Sequence, residues 1–212
     1  MAEGSMHVKR IIVVIIILFG LWYTPLKSTP PQTKKRPVTE SDDILATINE
    51  PPPVPEHLKL LFEKMEAANR RSQDVFRELS VKQMNFRPSN GTHTPRWNAE
   101  HMAGRQLLFF SQIYHALDPE IPVIDRNPRQ MPNEYEPRES NWSGKQEARY
   151  MQRVDDFCRR YAYLLKDQPL KAKPPASRWP SMEALLQQME RHYDEHTANV
   201  KKKFELPDWP KE

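Results

Sequence analysis

Proline placement constrains this chain more than any other feature. Of 212 residues, 21 are proline, concentrated at 25–55, 119–137, 169–180 and 207–210, and only 5 are glycine. A proline inside a helix removes a hydrogen bond and clashes with the preceding turn, so these stretches are connectors. The long proline-free segments between them favour helices over strands. Four such segments carry apolar residues at helical spacing. The first runs from Pro55 to Leu79, with Leu58, Phe62, Met65 and Phe76 on its stripe. The second, Trp97 to Leu117, is apolar over much of its circumference, as expected of a helix wedged between neighbours. The third, Ser143 to Lys166, opens on a Ser143/Gln146 capping box and carries Met151, Val154, Phe157 and Cys158 inward. The fourth opens at Pro180-Ser181 and ends near Phe204. The expected fold class is all-α, a four-helix bundle. The long connection at 118–142 permits an up-down-down-up path as well as a plain up-down one, and a loop of that length is either a lid or a simple crossover.

With 28% charged and 38% hydrophobic residues, the folded part has the composition of an ordinary globular domain. The net charge of +4 is spread among acids, apart from Lys34-Lys35-Arg36 and Lys201-Lys202-Lys203. No basic face is interleaved with aromatics, so no nucleic-acid partner is expected. The lysine triplet at 201–203 suits a solvated helix end. A single cysteine, Cys158, excludes an internal disulfide and a cysteine-rich zinc site, and its place on an apolar stripe marks it as a buried, inert thiol.

Residues 1–26 hold a nearly unbroken apolar run from Ile11 to Tyr23 behind Lys9 and Arg10. No small-residue cleavage site follows, and Trp22 and Tyr23 suit a membrane interface, so the segment is expected to be an uncleaved signal anchor or transmembrane segment. The domain is expected outside the cytoplasm. Residues 27–54 form a proline-rich tether, 55–205 the helical domain and 206–212 a tail.

Two histidines carry the chemistry. His192 and His196 stand four residues apart, about 40° from each other on one helix face. They continue the stripe Leu185, Met189, His192, His196, Val200, so both rings are expected to point inward, where a divalent metal ion is a natural shared partner. Histidines bonded to main-chain or tyrosine oxygens are the alternative. His101 sits one turn after Trp97. If the second helix packs beside the fourth, His101 gives a third nitrogen and the open, catalytic type of zinc geometry. Glu195, beside His196, is a candidate for orienting a ligand or moving a proton, although its position also suits a surface carboxylate. The pattern is not the H-E-x-x-H of the zincins. Di-iron chemistry is disfavoured, because Glu-x-x-His is not repeated on a second helix.

Three stretches give a family resemblance: Arg96-Trp97-Asn98-Ala99-Glu100-His101, the crossover after the second helix, and Met189-Glu190-Arg191-His192-Tyr193-Asp194-Glu195-His196 with its basic tail. Over about residues 55–205 the chain resembles the DinB/YfiT-like superfamily of four-helix bundles. That resemblance implies one divalent ion, zinc or nickel, on His101, His192 and His196. It also implies a metal-dependent hydrolase or a thiol-dependent transferase. Many members place the tryptophan two turns before the histidine; here the spacing is one turn, and Arg105 stands at the two-turn position. A non-catalytic, membrane-tethered scaffold is the competing reading. The expected partners are the membrane, a low-molecular-weight thiol or other small substrate, and a second copy of the chain in a homodimer.

Overall fold

Each of the four periodic segments forms a helix, and side-chain caps set the starts of the last three. The computed structural model describes Leu45 and residues 52–211; the apolar run at 11–23 and most of the proline-rich tether lie outside the described residues. Among the described residues there are five α-helices and no strand, and no helix is long and apolar enough to cross a membrane.

Helix α1 spans Glu56–Arg77 behind Pro55. A short α2, Val81–Met84, follows within what the sequence reads as a connection. Its signal is local: the Ser80 hydroxyl accepts the Gln83 N–H (3.2 Å), and the Gln83 side chain accepts the Ser80 N–H (2.9 Å). Helix α3 spans Pro95–Leu117, two residues earlier than the Trp97 start expected from periodicity. Thr94 sets that start by accepting the Trp97 N–H (3.0 Å), with Pro95 in the first turn. Helix α4, Gly144–Arg160, begins where Gln146 accepts the Ser143 N–H (2.9 Å), and a 3₁₀ turn over Ala162–Leu165 carries it to the expected end. Helix α5, Met182–Lys201, is capped by Ser181, whose hydroxyl accepts the Ala184 N–H (3.0 Å). A 3₁₀ turn over Lys202–Glu205 ends it near the expected Phe204. Proline is therefore just outside α5, not in its first turn.

Helix α1 packs against α4 and α5, and α3 packs against the same two, so the four long helices close a ring around one core. Side-chain pairs give the directions. Along α1, Glu66 meets Arg159 and Gln73 meets Gln152, so α4 runs antiparallel to it. Asn69 meets Tyr193 and Ser72 meets Thr197, so α5 runs parallel to α1. Along α3, Asn98 meets His196 while the later His101 packs on His192, an antiparallel pairing. The path is up-down-down-up, and the long connection between α3 and α4 is the crossover it requires.

Inside the ring the core is not purely apolar. The Tyr193 hydroxyl donates to Gln106 Oε1 (2.5 Å), and Gln106 Nε2 donates to Asp155 (3.0 Å). Asn69 donates to the Tyr193 hydroxyl (3.3 Å) and accepts from Gln73 (2.9 Å). This chain joins all four long helices. A register slip would strand its buried donors and acceptors, each at a cost of about 1–3 kcal/mol. At one end Gly144 lets α4 meet α1: a Cβ there would stand 1.7 Å from the Phe76 carbonyl oxygen. Cys158 is buried as expected, and burial pushes its thiol pKa up.

Candidate metal centre

His101, His192 and His196 meet between α3 and α5, with one potential ligand atom from each within 4.8 Å of the others. The condition that the second and fourth long helices be neighbours is met, and one turn of each supplies the site. The ring centroids of His192 and His196 lie 4.5 Å apart, and each lies 4.9 Å from that of His101. The inward stripe of α5 differs from expectation in one respect. Its core register runs through Leu185, Leu186, Met189, Tyr193, Thr197 and Val200, while His192 and His196 are only half-buried. The two histidines stand one step beside the core row, turned to α3. A rotation of 100° per residue makes Tyr193 and Thr197 the core contacts and leaves the imidazoles at a helix–helix seam.

The motif around Trp97 places its residues around this seam. Trp97 stacks on His101 (centroids 4.4 Å, planes 13° apart), and His93 stacks on the other side of Trp97 (3.5 Å, 8°). The Trp97 indole N–H donates to the Arg129 carbonyl (2.8 Å). Asn98 Oδ1 lies 2.8 Å from His196 Nδ1, and the Asn98 amide donates to the Thr94 carbonyl (2.8 Å), which fixes which end of the amide faces the histidine. Asn127, from the crossover loop, presents Oδ1 to His101 Nδ1 at 2.9 Å, while its amide nitrogen donates to the Pro128 carbonyl (3.1 Å). An amide oxygen only accepts, so Nδ1 carries the proton in both rings and Nε2 keeps its lone pair. His192 Nδ1 is buried with no hydrogen-bond partner. Orphaned buried polar atoms are rare, and this one stands in a cluster of imidazoles.

Electrostatics agree with geometry. Burial is the main cause that holds the histidines neutral: His101 and His192 fall to about 3, with neighbouring histidines and Arg105 adding to the effect, and His196 falls to about 4. Three neutral imidazoles offer lone pairs without competition from protons at neutral pH. They supply no negative charge, which is the donor set of an open zinc-type site. Around a tetrahedral zinc the ligand nitrogens stand about 3.4 Å apart, so small side-chain rotations bring this triad to bonding distance. The residues fit such an ion.

Other expectations resolve differently. Glu195 is exposed on the outside of α5 and is not among the residues that meet at the triad. Arg105, at the two-turn position from Trp97, is not a ligand and stands next to the triad on α3. His57 bonds the Gln168 carbonyl (2.9 Å) and His115 the Ile121 carbonyl (2.8 Å), both away from the site. Sequence reading missed His93, Asn98 and Asn127 as parts of the centre. Asn98 had a signal, because it lies within the Arg96–His101 motif, between Trp97 and His101. Asn127 had none, because only the fold returns the crossover loop to α3.

That loop is fastened down. Gly104 allows the approach: a Cβ there would lie 2.8 Å from the Arg126 carbonyl oxygen and 2.9 Å from Asn127 Cα. Arg96, fully buried, pairs with Glu147 (2.7 Å) and donates to the Trp142 carbonyl (2.5 Å), which closes the far end of the crossover onto α4. The first residue of the motif thus holds the loop, and the last provides an imidazole.

Comparison with curated proteins and with solved structures returned no match. The model of the DinB superfamily matches residues 64–200, more than half of the chain, and this span contains α3 and α4 whole, α1 from its third turn, α5 but for its last residue, and the whole triad. The chain belongs to the DinB superfamily.

Proposed function

We propose that this protein binds one divalent metal ion, zinc or nickel, through His101, His192 and His196 and uses it on a small-molecule substrate, as a hydrolase or a thiol-dependent transferase. The observation that supports this reading is the convergence of three uncharged imidazoles from two helices, two of them oriented by asparagine oxygens so that Nε2 is free. A bound divalent ion would acidify a water or thiol that meets it. The chain's own residues set the conditions. Asn98 and Asn127 hold two rings in one tautomer, Trp97 packs one face of His101, and the crossover loop shields that end of α3 from water. We further propose that the apolar run at 11–23 tethers the domain to a membrane, with the domain outside the cytoplasm.

The test uses the full-length chain recovered from fractionated cells. Elemental analysis is expected to give one zinc or nickel per chain, lost in His192→Ala/His196→Ala. Chelator is expected to lower the melting temperature of the wild type and leave the double variant unmoved. A fully folded, metal-free wild type indifferent to chelator overturns the metal centre and leaves a scaffold with structural histidines. Recovery of the full-length chain in the soluble fraction overturns the tether.

A further inference from the structure

A row of side chains continues past the triad along one face of α3. Trp97, His101, Arg105 and Phe109 follow at intervals of four residues, about 6 Å per step along the axis. The Arg105 guanidinium lies over the Phe109 ring, 5.9 Å from its centroid. A second guanidinium reaches the same ring from the connection before α5: Arg178 stands 5.0 Å from the Phe109 centroid and 5.5 Å from that of Trp179. Among the described residues neither arginine is joined to a carboxylate by a salt bridge. The acid whose charge opposes that of Arg105 is Asp125, and its carboxylate already accepts the Asn127 N–H (3.0 Å). Two like charges therefore approach one aromatic ring, close enough to act on each other, beside a centre whose three donors are neutral.

We propose that Arg105 and Arg178 form an oxyanion-binding subsite beside the triad, so that the small molecule taken there carries a carboxylate or sulfate-like group. This rests on the metal reading only for what the other end of the ligand meets. The guanidiniums are present with or without the ion. The charge balance favours it: a divalent cation on three uncharged ligands adds two positive charges to a patch that already holds two guanidiniums and one acid. An anionic ligand is the species that neutralises such a patch, and guanidinium forks match oxyanion geometry. Burial, then the proximity of Arg178, lowers the pKa of Arg105, opposed by Asp125.

The experiment is calorimetric titration of the full-length chain with succinate and, separately, with sulfate, in the zinc-loaded and the zinc-free states. Wild type is expected to bind at least one of the two in both states. Arg105→Gln and Arg178→Gln are each expected to weaken that binding about tenfold, the loss of one charge-assisted contact, with one zinc per chain retained. Arg178 is exposed, so its variant reports binding without a folding defect. Preference for succinate or for sulfate identifies the oxyanion. The same affinity in both variants, or no binding of either anion by wild type, overturns the subsite. If wild type holds no zinc but the arginine variants still weaken anion binding, the metal reading fails and the subsite stands.

Discussion

At the residue scale, the proposed centre sets two amides beside three imidazoles. A ligating histidine almost always has its other ring nitrogen hydrogen-bonded, and Asn98 Oδ1 (2.8 Å) and Asn127 Oδ1 (2.9 Å) accept that bond from His196 and His101. Asn98→Ala and Asn127→Ala are each expected to reduce zinc affinity about 10- to 100-fold, measured by competition with a chelating dye. Asn98→Asp keeps the acceptor and is expected to retain most of the affinity. Equal affinity in wild type and both alanine variants would show that the rings need no such support. His192 is the contrast: its buried Nδ1 has no partner, so its orientation comes from packing alone.

Among elements, the contact between α3 and the crossover loop decides whether the site is closed. A glycine inside a helix normally costs about 1 kcal/mol relative to alanine, so Gly104→Ala on an open face would stabilise. Here the added methyl would stand 2.8 Å from the Arg126 carbonyl oxygen, and backbone cannot step aside as a flexible side chain can. Gly104→Ala is therefore expected to lower the melting temperature and to weaken zinc binding, because Asn127 is carried on the displaced segment. A higher melting temperature with intact zinc binding would contradict the tight approach. The buried Arg96–Glu147 pair fixes the other end of the same loop. Removing only one partner of such a pair typically costs about 3–5 kcal/mol.

For the whole molecule, the polar chain through the core makes stability depend on pH in a defined direction. Burial raises the Asp155 carboxyl from its ordinary 3.8 to about 7, partly opposed by its hydrogen bond from Gln106. Burial likewise raises Glu147 to about 7. A carboxyl that holds its proton more tightly when folded favours folding most below its unfolded pKa. That contribution is lost as pH rises from about 4 through about 7. The three depressed histidines slope the other way, but equally in wild type and an Asp155 variant. Asp155→Asn keeps the acceptor for Gln106 and removes the ionisation. Urea melts at pH 5 and pH 8 are expected to show the variant gaining on wild type at the higher pH, by on the order of a few kcal/mol. A difference independent of pH would mean that Asp155 is already ionised at pH 5.

Helix content was readable because prolines and apolar spacing act locally. Pro55, Thr94-Pro95, Ser143 and Ser181 set the starts of the long helices through bonds within one turn, and the i, i+4 spacing alone places His192 and His196 one above the other. Short-range chemistry also explains α2, which a Ser80/Gln83 box announces before four residues with too little periodicity to register. The tertiary structure alone decided which helices are neighbours, and hence that His101 faces the pair. It alone brought Asn127 back to His101 across 26 residues. It alone turned Tyr193 and Thr197 into the core and left the histidines at the seam. Sequence spacing fixes angles around a helix axis, whereas the direction that faces a neighbour is set by how four amphipathic surfaces share one interior, a property of no single segment.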